Sequence, residues 1–186
     1  MPNSPMNHSA LKELHDRRCD VIGRRPSLAR HTGMACVHLT DGFVCDVHHQ
    51  DRMLRVDQPE TEGGTGDGPN PDQLMLASLG ASLAMGYRLW AAARCGPRID
   101  SVDIEITSQA DLRGQMGLSG DVAVGWQEIL VHVAIVSPAS AAAVRQLVEH
   151  ADHLNPMLAN LAPSIVRSHR LTVIAPGPGG PTGDRS

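Results

Sequence analysis

"GPNPDQLMLASLGAS", residues 68–82, reads as the start of a long helix that has no ordinary solvent face. The Asn70 side chain can accept from the backbone N–H of Gln73 while the Gln73 side chain reaches back, the reciprocal arrangement of a capping box. Pro71 suits the first helical position, where its missing N–H would have had no partner. Gly96 and Pro97 place the far end after Arg94 or Cys95. A helix from Pro71 to Arg94 rises about 36 Å at 1.5 Å per residue. Leu74, Met75, Leu76, Leu79, Leu83 and Met85 point in every direction around it. A soluble helix that is apolar all round must be buried all round, and one small sheet covers one side. A second subunit is expected on the other, with Gly80, Ala81, Ala84 and Gly86 allowing close approach. Deep in this run stands a single hydroxyl, Ser82.

The flanking sequence supplies the sheets. "MACVHLTDGFVCDVHH" reads as a hairpin about Asp41-Gly42, and "RMLRVDQ" as a third strand. "PETEGGTGDGPNP" is a loop by its turn residues. "SVDIEIT" alternates Val102, Ile104 and Ile106 with Asp103 and Glu105, a half-buried strand. "WQEILVHVAIV" is more continuously apolar and suits a central strand. "SPASAAAVRQLVEHADHL" carries Val144, Leu147, Val148 and Ala151 at helical spacing. A short helix restarts behind Asn155-Pro156, and "IVRSHRLTVI" gives a last strand. Strands and helices without regular alternation predict an α+β fold. Residues 1–29 read as an N-terminal extension. It contains a short helix capped by Ser9, with Leu11 and Leu14 as its anchors. Residues 30–175 form the domain, and the Pro/Gly-rich residues 176–186 form a disordered tail.

Composition narrows the function classes. Hydrophobic residues make up 41% and charged residues 19% of the 186, which suits one soluble globular domain. Aromatics are 2%, so the core must be aliphatic. A net charge of −4 gives no reason to expect nucleic acid, and Arg17-Arg18 and Arg24-Arg25 read as solvated surface. The apolar stretch Leu74 to Tyr87 is too short for a bilayer, which needs about 20 residues, so no membrane partner is expected. There is no secretory leader pattern. Cys19, Cys36, Cys45 and Cys95 lack framework spacing and read as reduced thiols of a cytoplasmic protein.

The stretch "LRVDQPETEGGTGDGPNPDQLMLASLGASLAMGYR", followed by "GPRIDSVDIEI" and the helix running to "ADHLNPML", resembles the osmotically inducible protein C and organic hydroperoxide resistance family (OsmC/Ohr). The resemblance covers roughly residues 30–175. It implies an OsmC-like fold, with β-sheets wrapped around a long buried central helix in an intertwined dimer. The family's active members are cytoplasmic thiol peroxidases that reduce organic and fatty hydroperoxides. They use a reactive cysteine in the central helix, a second cysteine ahead of a proline in a later helix, and an Arg–Glu pair. Carried onto this chain, the reactive cysteine falls on Ser82 and the second on Asn155. The glutamate falls on Asp72, and the nearest arginine is Arg30. Both thiols are therefore absent.

The residues themselves read the same way. Peroxide reduction needs a thiolate that becomes a sulfenic acid and is then resolved by a thiol. A serine hydroxyl has no equivalent chemistry, and no Gly-x-Ser-x-Gly elbow surrounds Ser82. Its simplest role is a small residue bonding the carbonyl four residues back, and that of Asn155 is an N-cap. If Asp41-Gly42 is the turn, His38 faces Cys45 and Cys36 faces Val47, so Cys36, His38 and Cys45 share a face. That trio is a candidate soft-metal site, although buried structural cysteines are the simpler reading and no metal is expected. His150 and His153 read as surface residues of one helical face. "GGTGDG" precedes a helix N-terminus, where an anion can bind, but no Lys-Ser/Thr follows, and no cofactor is expected. The expected function is a non-catalytic homodimer binding an apolar small molecule or fatty hydroperoxide around Ser82, Asp72 and Asn155. The alternative is an organic hydroperoxide reductase that uses relocated cysteines.

Overall fold

The computed structural model describes residues 7–177. The expected disordered tail lies, from residue 178 onward, outside the described residues. The elements run α1 (His8–Arg24), β1 (Cys36–Asp41), β2 (Val44–His49), β3 (Arg52–Val56), α2 (Pro71–Ala93), β4 (Ser101–Ala110), α3 (Leu112–Gln115), β5 (Trp126–Val136), α4 (Ala141–His153), α5 (Pro156–Ala159) and β6 (Val166–Ile174). They form an α+β fold whose contacts group into two compact units, Cys19–Ser78 and the remainder. No helix among the described residues is long and apolar enough to cross a membrane.

The smaller unit is an antiparallel meander, β1-β2-β3. Its hairpin turns one residue later than expected. Gly42 and Phe43 occupy the turn, with Gly42 at φ +54, and the ladder is irregular between Leu39 and Asp41. Cys36 therefore pairs with His48, His38 with Asp46, and Leu39 with Cys45. A register slip of one residue moves a side chain to the other face. Cys45 thus leaves Cys36 and His38, and the candidate metal trio does not exist. Among the described residues no three His, Cys, Asp or Glu side chains converge on a metal position.

Beyond β3 the chain ties itself around Asp57, which is 1% exposed. Its carboxylate accepts from the Thr65 hydroxyl (2.7 Å) and from the N–H groups of Thr65 (2.8 Å), Gln58 (2.8 Å) and Asp67 (3.3 Å). These bonds, the Thr65 hydroxyl foremost, hold its pKa down at about 2 against the opposing cost of burial. The knot delivers the chain to α2, where the capping box forms as expected. Asn70 Oδ1 accepts from the Gln73 N–H at 2.9 Å, and Gln73 Oε1 accepts from the Asn70 N–H at 2.9 Å.

In the larger unit β5 is central, antiparallel to β4 and parallel to β6. Its inward residues Ile129, Val131, Val133 and Ile135 are at most 6% exposed. They pack with Leu79, Leu83, Tyr87 and Ala91, spaced by four along α2. Val144, Leu147, Val148 and Ala151 of α4 complete the cluster, as their spacing predicts. Ser140 caps α4 by accepting from the Ala143 N–H at 3.3 Å. Helix α2 ends one residue early, at Ala93. Cys95 takes the left-handed conformation (φ 48), and the N–H groups of Gly96 and Cys95 close onto Ala91 and Ala92.

One expectation for α2 changes, the role of its glycines. Met75 (46%) and Met85 (71%) are exposed. Gly80 faces Ile104 and Ile106 of β4, and Gly86 faces Asn155, so both glycines let α2 lie close on its own chain. The N-terminal helix is also longer than expected. Asn7, not Ser9, caps it through the Ala10 N–H at 2.9 Å. Its anchoring goes beyond Leu11 and Leu14, because the His15 ring meets the Trp90 ring edge-on at 5.2 Å.

Candidate functional site

Ser82 lies on α2 beside the N-terminus of α5, and its partner is not the helix carbonyl expected for it. The Ser82 hydroxyl and the Asn155 amide bond one another, with Oγ 3.3 Å from Oδ1 and 3.2 Å from Nδ2. Asn155 is 4% exposed and also caps α5, its Oδ1 accepting from the N–H groups of Met157 (2.9 Å) and Leu158 (3.0 Å). The cap was legible from Asn-Pro, and the bond to Ser82 was not. Of the four carried-over positions, these two are joined by a hydrogen bond. Asp72 is exposed in the first turn of α2, and Arg30 is exposed just past a 3-10 turn and short of β1.

A second polar group, missed in the sequence, lies next to Asn155. Tyr87 is fully buried, and its hydroxyl donates to Asp152 Oδ1 at 2.8 Å. Burial, then the Asp152 charge and the bond to it, push the phenol far above its ordinary pKa, so it remains a donor. The other Asp152 oxygen lies 2.9 Å from His169 Nδ1. Both carboxylate oxygens are thus engaged, one from α2 and one from β6. The missed signal was the alternation of β6. Leu171 and Val173 pair with the buried Val133 and Ile135, so His169 and Arg167 fall on the same inward face, beside Val131 and Ile129.

Asp152, Asn155, Arg167 and His169, but neither Ser82 nor Tyr87, border a cleft of about 370 Å³. Its apolar wall includes Leu83, Ile129, Val131, Leu158 and Leu161, and its polar wall includes Asp152, Asn155, Arg167 and His169. His153 also borders it, whereas His150 turns away. His150 Nδ1 lies 2.9 Å from an Arg94 nitrogen, and the ring stands edge-on to Trp90 at 4.8 Å. Burial, then Arg94 and His153, lower its pKa. His150 is therefore a neutral packing residue rather than the solvated one expected, accepting from a guanidinium that can only donate.

The sequence model of the OsmC-like protein family matches residues 64–169. No curated protein matches the chain. Among solved structures, an OsmC-like protein from Mycoplasma pneumoniae superimposes with a TM-score of 0.69 at 18% identity, covering 77% of this chain and 98% of that one. An organic hydroperoxide resistance protein from Legionella pneumophila gives 0.60 at 17% identity, covering 77% and 98%. A putative organic hydroperoxide resistance protein from Vibrio cholerae, with captopril in one of its active sites, gives 0.57 at 19% identity, covering 76% and 93%.

Proposed function

Because the chain belongs to the OsmC-like protein family, we propose that it is a member in which Ser82 and Asn155 have replaced the thiol pair, leaving a non-catalytic homodimer that binds an apolar small molecule. The hydrogen-bonded Ser82–Asn155 pair carries the reading. It occupies the two positions at which the family resemblance implies the reacting cysteines, and neither side chain can form a sulfenic acid or a disulfide. The largely aliphatic cleft beside Asn155 supports a small-molecule role. So does the captopril held by the Vibrio cholerae protein. Action in the cytoplasm, where its thiols stay reduced, belongs to the same reading.

The purified protein is expected to consume an alkyl hydroperoxide, with a dithiol as reductant, no faster than an ordinary exposed thiol. Cys95 is a poor substitute nucleophile. It lies past the end of α2, about 20 Å along the helix axis from Ser82. Rapid turnover abolished by alkylating one cysteine would overturn the reading.

The dimer rests on exposed apolar surface. Met75 and Met85 of α2 stand open, as do Val37 (61%) and Leu39 (59%), which share one face of β1. Sedimentation should give twice the chain mass at micromolar concentration. A stable folded monomer would exclude the dimer.

A further inference from the structure

We infer that the cleft bordered by α4, α5 and β6 binds an aliphatic carboxylate, its head group held by Arg167 beside His169 and its tail lying on Leu83, Val131 and Leu158. This rests on the small-molecule reading above and names the class of molecule.

The argument starts from the strand. Every second residue of β6 shares a face with the core residues of β5, and its last two such positions are Leu171 and Val173. The first two are Arg167 and His169, a cation and an imidazole where an apolar layer would otherwise continue. Both residues are exposed at the cleft, where each side chain is open to a partner. His169 has one, because Asp152 binds its Nδ1 and Tyr87 binds the other Asp152 oxygen. Asp152 is thereby satisfied within the chain, and the His169 nitrogen left to meet a ligand is Nε2.

Arg167 is different. It donates to the Leu158 carbonyl at 3.3 Å. Among the described residues no carboxylate stands within ion-pair distance of it. A guanidinium has five donors in a planar fork that matches a carboxylate's two oxygens, so most of its capacity is open. Two residues along a strand span about 7 Å, which leaves room for one carboxylate between Arg167 and His169. Beyond them the lining turns aliphatic. The cleft volume of about 370 Å³ falls at the small end of the usual range for ligand pockets. Together these features select a compact anion with an apolar tail, in preference to a neutral lipid or a polar anion.

Titration calorimetry on the full-length protein with octanoate, octanol and acetate tests this, since the three separate head from tail. Octanoate should bind at least tenfold more tightly than either of the others. Arg167→Gln should remove that preference, bringing octanoate binding down to the level of octanol. Equal binding of octanoate and octanol would overturn the head-group assignment and leave the broader apolar reading standing. Binding of none of the three would overturn both. If Arg167→Gln instead dissociates the protein, the guanidinium serves a subunit contact and the inference falls.

Discussion

Tyr87→Ala is expected to cost about 5 kcal/mol, the largest loss from any single truncation in the core. Tyr87 is fully buried in the cluster formed by α2, β5 and α4, in a chain whose aromatic residues number four. Removing a buried aromatic side chain costs about 3–5 kcal/mol from lost transfer energy and the cavity. Its hydroxyl adds a further loss, because Asp152 Oδ1 is deprived of a donor. Tyr87→Phe separates the two contributions. It keeps the ring, removes the 2.8 Å bond to a carboxylate, and should cost about 2 kcal/mol. Urea unfolding of both variants measures this. If Tyr87→Phe unfolds at the wild-type midpoint, the bond to Asp152 contributes nothing to stability.

The second large effect lies in the loop that precedes α2. Gly64→Ala should cost about 3 kcal/mol by overpacking. A Cβ at that position falls far inside contact distance of the Gln58 carbonyl and close to the Asp57 carboxylate. Neither atom can retreat, because Asp57 is fixed by four hydrogen bonds and the Gln58 carbonyl accepts from the Gly66 N–H at 3.1 Å. Gly66→Ala in the same loop provides the comparison. Gly66 has open space around it but a φ of +71, so its cost is backbone strain alone, about 1 kcal/mol. Reversal of that order in denaturant midpoints would show that the Asp57 knot yields.

What could be read from the sequence was local. The capping box at Asn70 and Gln73 and the cap at Asn155 involve residues two or three apart, so their chemistry is written in consecutive letters. The apolar spacing of α4 and the central position of the continuously apolar β5 survived for the same reason. The hairpin register did not, because an irregularity near Thr40 and a one-residue shift of the turn are decided by the fit of two strands. Nor did the bond from Ser82 to Asn155, or the chain of contacts from Tyr87 through Asp152 to His169, which join residues far apart in sequence. In β6 part of the signal was available, since Leu171 and Val173 fix the face on which Arg167 and His169 must fall. Asp57 gave less warning, because a lone acid before a Gly-rich loop does not reveal that the loop folds back around it.

The parallel pairing of β5 with β6 also orders the events of folding during synthesis. Strands β4 and β5 are antiparallel neighbours and can pair as soon as both have left the ribosome. Strand β6 cannot join until α4 and α5 have been made, since a parallel partner must be reached by a crossover. Until then the apolar face of β5, the most deeply buried in the finished protein, lacks part of its cover and its outer edge is unpaired. An open edge on an apolar strand invites pairing with other chains. The nascent protein is therefore most vulnerable to aggregation between completion of β5 and arrival of β6. A chain truncated before Val166 should be retained by chaperones and fail to accumulate in soluble form.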